Sequence, residues 1–436
     1  MNRIVIIGNG FDLAHGLPTS YKDFIKWYWS SWIERLSKHD GQCQNDEFCT
    51  FKIIPGVTTW KEYITYKQAE TPNLDPLNIL RDIFTQPSLF DVTISPFMHR
   101  ISSFLEIQNW VDIESIYYSI LKEEAITPEK TGIPIESLNS ELEIIKFKLI
   151  EYLSSLKVTD SPDFDAINKI IYGPVDGNDI AVSDRQAFIE FALSWVSLQP
   201  RHAMGLYHFA GFDGTFVKSD LMSFQAEQGK TTESGCEFDL FDWEIVSRNS
   251  FPKDLLLPND VLLLDFNYTK TTERYLHEGY GKIIHIHGSL DSPDSILFGY
   301  GDELDDEYKK LLKIENNEVL KNFKSIKYLE ADNYRRLLDF IDADKYQIYI
   351  LGHSCGISDR TLLNTLFEHP NCVSIKPYFH QIDKQKDNYL SIVQNIYRNF
   401  TDMKLMRERV VNKTLCSPLP QSPKPKPKLK PKPKDA

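Results

Sequence analysis

A short apolar run opens this chain and stops on glycine: Arg3-Ile-Val-Ile-Ile-Gly8-Asn-Gly10-Phe-Asp12. Consecutive β-branched residues with no polar alternation describe a strand buried on both faces, as in a parallel sheet. The glycines let backbone N–H groups approach a phosphate, and the helix beyond them offers a partial positive charge. The turn sits at the strand's carboxyl end, where open α/β sheets bind ligands. Gly16, Leu17 and Pro18 follow at fixed offsets, and a helical pattern begins after Ser20.

Strands of the same kind return only after Pro258: Val261–Phe266, Lys282–His287, Tyr346–Leu351 and Cys372–Tyr378, with a weaker one at Ser295–Phe298. Helical patterns at Thr271–His277, Asp305–Leu312, Asn333–Asp342, Asp359–Phe367 and Lys386–Asn399 lie between or beyond them. Such alternation predicts a Rossmann-like α/β fold whose parallel sheet is split in sequence. From Thr58 to about Asn249 the periodicity is mostly helical, as at Leu77–Phe84, Asp112–Glu124, Ile135–Leu156 and Arg185–Leu198. Polar loops are expected around Asp160–Pro162, Tyr172–Ser183 and Gly229–Gly235. The aromatics of Tyr21–Leu36 fall at helical spacing, which assigns them to core packing rather than base stacking. We expect residues 1–40 and 255–410 to form one α/β unit, 41–254 an α-helical insertion, and 411–436 a disordered Lys/Pro-rich tail.

At 436 residues, 42% hydrophobic, the chain holds one large domain or two to three ordinary ones. Residues 1–416 carry 43 basic against 61 acidic side chains, a net −18, because six lysines and one aspartate lie in 417–436. That balance argues against broad phosphate-backbone binding and leaves a local basic cleft open. No run of about 18 apolar residues exists, so no membrane span is expected. The strand begins without a basic leader and cleavage site, so no signal peptide is expected either. Six cysteines include no C-x-x-C pair, which predicts neither a disulfide framework nor a zinc module. A cytoplasmic location follows.

Each strong strand leads into a polar or glycine cluster: Gly8-Asn9-Gly10, Asp265-Phe266-Asn267-Tyr268-Thr269, His285-Ile286-His287-Gly288-Ser289 and Gly352-His353-Ser354. In a parallel sheet these clusters share one edge and can converge on one ligand. Gly8-x-Gly10-x5-Gly16-Leu17-Pro18 resembles the sirtuin signature G-A-G-x-S-x3-G-I-P without a gap. Phe266–Thr269 is similar to the sirtuin T-Q-N-I-D segment, His287-Gly288-Ser289 to its H-G pair, and Gly352-His353-Ser354 to its G-T-S turn. The opening I-I-G-N-G-F-D-L-A-H-G-L-P-T-S-Y-x-D-F resembles AbiH-type bacteriophage abortive-infection proteins, as do Trp110-Val-Asp112-Ile-Glu114 and Leu351-Gly-His-Ser354.

The AbiH-type resemblance, which covers most of residues 1–410, implies an antiphage effector with a phage-derived trigger or defence partner protein; a homo-oligomer is expected as well. The sirtuin resemblance implies an NAD site in which NAD is bound and hydrolysed, as by an NAD glycohydrolase. Gly8, Asn9 and Gly10 would line the pyrophosphate, with Pro18 and Gly288 in the same site and Gly352 and Ser354 on the adenosine side. Asn267 would hold a water or ribose hydroxyl, and His287 would be the general base, its imidazole half-available near neutral pH. His285, on the same side of the strand, would be a structural partner. The sirtuin serine after the turn is Asp12 here, the N-I-D aspartate is Thr269, and the arginine after G-I-P-D-F is Tyr21. With no four-cysteine module, the resemblance does not extend to protein deacetylation. Asp12 would instead stabilise positive charge developing on the ribose.

Two other functions use the same residues. A sensing module would bind NAD or an ADP-ribose derivative without turnover. A nuclease effector would hold Mg²⁺ with Asp12, Asp112 and Glu114. At a helix start, Asp112 and Glu114 also suit the macrodipole with no chemistry at all. Cys355 reads as a buried small hydrophobe rather than a nucleophile. The acids Asp302, Glu303 and Asp305–Glu307 read as a solvated helix N-terminus. The insertion is expected to set the trigger or partner, with Glu114 as the one residue able to reach the pocket.

Overall fold

The computed structural model describes residues 1–54, 59–71, 75–103, 112–127, 133–157, 164–209, 217–228, 230–232, 235–237, 242–248 and 251–422. Within these, ten strands form in chain order: β1 Asn2–Ile7, β2 Cys43–Asn45, β3 Cys49–Ile53, β4 Phe90–Ile94, β5 Lys230–Thr232, β6 Gly235–Glu237, β7 Val261–Asp265, β8 Gly281–His285, β9 Tyr346–Leu351 and β10 Cys372–Tyr378. Five of them make the central sheet, in the order β10-β9-β1-β7-β8. Every pairing in it is parallel, with Ile4 opposite both Leu262 and Ile348.

All residues of β1, β7 and β9 are buried, which is why these strands read as largely apolar runs without period-2 alternation. Ile4 and Ile6 join Leu264 and Ile348 in one layer with helices Asn333–Ala343, Arg360–Glu368 and Tyr389–Asn399. Val5 and Ile7 face the opposite layer with Phe11, Leu263 and the helix Phe164–Tyr172. Asn2, Asp265 and Gln347 are buried polar residues of these strands, and so is Arg3. Its fully buried guanidinium donates to the carbonyls of Ile171 (3.0 Å), Gly173 (2.6 Å) and Pro174 (3.1 Å), clamping that helix's end to the sheet.

A second core forms around the aromatic helix Tyr21–Ser37, the helices Ile113–Ile126 and Ile135–Ser155, and the antiparallel sheet β2-β3-β4. Phe24, Tyr28, Trp29 and Trp32 are all buried there, so the aromatic stripe is core. The segment expected to be helical also contains a three-stranded sheet, and the antiparallel pair β5-β6 forms where a polar loop was expected around Gly229–Gly235. These strands are too short to carry a strong period-2 signal. The expected strand at Ser295–Phe298 is absent: Pro293–Ser295 is a 3₁₀ turn, and Phe298 packs into the aromatic core. The expected loop at Asp160–Pro162 and the dipeptide Trp110-Val111 lie outside the described residues.

Residues 411–422 pack against the sheet edge, contrary to the expected disorder from 411. Pro418 bridges Phe379, and buried Leu419 donates its N–H to the Phe379 carbonyl at 2.9 Å. Proline is accommodated because its neighbours Ser417 and Leu419 make the ladder bonds. The Lys–Pro repeats, within 423–436, lie outside the described residues. No helix among the described residues is long and apolar enough to cross a membrane.

Candidate functional site

The turn after β1 and the turn after β9 interlock. Gly8 and Gly10 donate their N–H groups to Leu351 O (3.2 Å) and Gly352 O (2.8 Å), and Phe11 donates back to Gly8 O (2.8 Å). A Cβ on Gly8 would meet His353 Cα at 2.6 Å, and one on Gly10 would meet Gly352 O at 2.7 Å. These glycines thus serve a close approach of backbone to backbone. Gly352 (φ 75°) and Cys355 (φ 54°) both adopt left-handed backbone. The latter is held by its N–H to His353 Nδ1 (3.0 Å) and by Asn399 Nδ2 to its carbonyl (2.8 Å). Its thiol is fully buried and its acidity is suppressed by burial, as befits a small hydrophobe.

Between these turns lies a cavity of about 130 Å³. The chain leaves β1 toward β7 and β8 on one side and later returns to β9 and β10 on the other. The cavity opens at the carboxyl ends of strands flanking that reversal, the position open α/β sheets use for ligands. Gly8, Asn9, Asp12, Asn267, His287, Gly352 and Ser354 all line it. Gly10, Pro18 and Gly288 do not. Gly10 is spent on the β9 turn, the Pro18 carbonyl accepts from Tyr152 Oη, and Gly288 (φ 82°) closes the turn over Ser295.

Asn267 ties two strand ends together: its Nδ2 donates to Gly8 O at 3.1 Å, and its backbone N–H reaches Asp265 Oδ1 at 2.9 Å. His285 lies 3.2 Å from the other Asp265 oxygen, away from the cavity lining. Asp12 Oδ2 accepts from Thr269 Oγ1 at 2.7 Å, so these two positions, separated by most of the chain, share one wall. Burial pushes the Asp12 carboxyl up to about 6, against the pull of the Thr271 and Thr269 hydroxyls.

The far wall holds a buried charge cluster that the sequence did not reveal. Lys324 Nζ, 1% exposed, lies 2.7 Å from Asp359 Oδ1 and 3.0 Å from Glu114 Oε2. Asp359 in turn faces His287 Nε2 at 3.4 Å and His353 Nε2 at 3.6 Å. Burial alone would raise the Asp359 carboxyl, but Lys324 and the two histidines draw it far below the usual range. Burial also opposes the Lys324 charge, yet Asp359 and Glu114 hold that ammonium well above its ordinary value. Glu114 is raised, by burial first, because Lys324 only partly offsets it while Asp359 adds repulsion. Glu114 and Asp112 are thereby brought to the pocket from the insertion, and Tyr21, Leu149 and Leu153 line it too.

His287 differs from the half-protonated base expected of it. Burial, reinforced by the Lys324 charge, pushes it down to about 3, so it is neutral throughout the physiological range. Its Nε2 faces Tyr328 Oη (3.3 Å) and Asp359, and its Nδ1 makes no hydrogen bond among the described residues. The shift has a measurable consequence. Between pH ~6.5, the unfolded value, and about 3 the unfolded chain binds the extra proton. This group's contribution to stability is therefore complete above that window and lost as pH falls through it, by ~1.4 kcal/mol per unit. Asp12 has the opposite sign: its contribution is full below ~3.9 and is lost as pH rises through about 6. Melts of His287→Gln between pH 4 and 5.5 should show a pH slope lower by ~1.4 kcal/mol per unit than wild type; an unaltered slope contradicts the neutral histidine.

A family model described as bacteriophage abortive infection AbiH matches residues 4–191 and 216–380, which together span both the sheet and the aromatic core. No curated protein and no solved structure matches the chain.

Proposed function

The chain belongs to the bacteriophage abortive infection AbiH family, and from that premise we propose that its pocket binds NAD and hydrolyses the nicotinamide–ribose bond. The observation carrying this reading is the convergence of Asn267, His287, Asp12 and Gly352 on one cavity at the point where strand order reverses. Asn267, His287 and Gly352 match the sirtuin-like clusters in order, Asp12 stands where that pattern has serine, and the strand order β8-β7-β1-β9 puts them side by side. At about 130 Å³ the cavity is smaller than the ~300–1,000 Å³ of a pocket for a whole drug-sized ligand. It suits the reacting end of the dinucleotide.

In the reaction the C1′–N bond breaks and its electron pair leaves with nicotinamide, which becomes neutral. Water oxygen bonds to C1′, its proton passes to an acceptor in the site, and ADP-ribose is released. Asn267, its amide nitrogen held by Gly8, keeps its Oδ1 to orient the water or a ribose hydroxyl. Neutral His287 offers Nδ1 as a hydrogen-bond acceptor. Asp12 favours positive charge as the bond loosens. Of the acids a Mg²⁺ nuclease would use, Asp112 is committed to Ser115, and Glu114 already faces the Lys324 ammonium, whose charge opposes a second cation there. That favours glycosidic chemistry.

Purified protein incubated with NAD, with and without phage-infected lysate, should release nicotinamide. His287→Ala and Asn267→Ala should each lower release by ~10²–10⁴-fold and abolish protection in plaque assays while still folding, with a cooperative melt at reduced temperature. Binding of NAD without release would make the pocket a sensor. Protection retained by both variants would remove the catalytic reading.

A further inference from the structure

The reaction needs a proton acceptor, and neutral His287, beside the Lys324 ammonium, is poorly placed to take a full charge. We propose that Glu114, delivered by the helical insertion, is the proton acceptor of this site and Lys324 its positioning residue; this rests on the NAD hydrolysis reading.

Glu114 stands in the first turn of helix Ile113–Ile126, whose N-cap Asp112 spends its carboxylate on Ser115 N (3.1 Å) and Oγ (2.8 Å). Asp112 is thereby committed to the cap, while Glu114 lines the cavity. Its two oxygens are anchored separately, Oε1 by the Gly299 N–H at 3.0 Å and Oε2 by Lys324 Nζ at 3.0 Å. A carboxylate has about four acceptor sites, so each oxygen keeps capacity for a water or a ribose hydroxyl. Two anchors from different segments fix the carboxylate plane, as a catalytic base requires.

Charge balance selects Glu114 over Asp359. One ammonium serves two carboxylates in a buried setting, and it lies nearer Asp359, which also has both histidines. Asp359 therefore keeps its charge, and the carboxylate left undercompensated gains proton affinity. The groups facing Glu114 are Lys324, Asp359 and Asp112, with the buried phenols Tyr21 and Tyr268. In the step proposed, water adds to C1′ as nicotinamide departs with the bonding pair, and the water proton moves to the Glu114 carboxylate. The insertion then supplies part of the chemistry, contrary to the expectation that it sets only the trigger or partner.

Glu114→Gln retains size and a carbonyl for the Gly299 N–H. It should lower kcat for nicotinamide release by ~10²–10⁴-fold with KM for NAD within about threefold. Wild-type kcat should fall as pH drops below neutral, where the acceptor and then Asp12 become protonated, and Glu114→Gln should keep only the part of that limb set by Asp12. Turnover by Glu114→Gln within threefold of wild type, or an acidic limb in it identical to that of wild type, overturns the assignment while leaving NAD hydrolysis intact. A wild-type protein that releases no nicotinamide overturns both. Should Glu114→Gln fail to fold, Glu114→Asp decides: it must keep the two-group acidic limb at reduced rate, and a limb reduced to the Asp12 part overturns the proposal.

Discussion

Replacing Lys324 with methionine should destabilise the protein by about 3–5 kcal/mol, the range for breaking a buried ion pair from one side. The side chain is 1% exposed and is the cation within reach of both Asp359 and Glu114. Methionine fills much of the volume, so the loss reflects two buried carboxylates left without compensation, not a cavity. The pH dependence identifies the cause. Without Lys324 both carboxyls acquire raised values in the fold, so the deficit should be largest above neutral pH and shrink as acid protonates them. Adding Glu114→Gln to Lys324→Met should recover part of the loss, a coupling readable from a double-mutant cycle of urea melts. A deficit below about 1 kcal/mol, or one independent of pH, would mean that the cluster is not buried as a charged unit.

Gly352→Ala should cost about 2–5 kcal/mol, combining ~1–2 for a non-glycine residue in left-handed backbone with ~1–3 for steric overlap. Its φ is 75°, and a Cβ would lie 2.1 Å from Phe11 N and 2.5 Å from Gly10 C. These are backbone atoms, so no rotamer change relieves the clash. The two turns must part, breaking the Gly10 N–H to Gly352 O bond and widening the mouth of the pocket. Gly16→Ala is the control: its φ is also positive at 78°, but its Cβ would meet nothing within 4 Å. It should carry the backbone part of the penalty alone. Equal melting temperatures for the two variants would show that the interlock of turns contributes nothing.

Which residues stand at the carboxyl edge of the sheet was legible in the sequence because the signals are local. Ile4–Ile7, Val261–Leu264 and Ile348–Leu351 are apolar without alternation, since both faces of a central parallel strand are covered. Each ends in residues no buried strand would tolerate, so Gly8, Asn267, His287 and Gly352 could be placed around one pocket from pattern alone. The short β2-β3-β4 sheet and the docking of 411–422 escaped notice because brief strands and isolated anchors such as Leu419 carry no period.

The charge cluster was beyond any such reading. Lys324 lies among Lys321 and Lys327 and looks like one more solvated lysine. Asp359 occupies a helix N-cap position, yet its side chain makes no cap bond and turns to Lys324 instead. Glu114 suits any helix start, and it meets Lys324 across a separation of 210 residues. By itself, then, the sequence determined the parallel sheet and the turn chemistry along its edge, because hydrophobic periodicity and glycine conformation act over a few residues. The tertiary structure decided which charges are buried together and which histidine stays neutral. A side chain's proton affinity depends on the water and charges removed from or brought to it, and here those come from four distant segments.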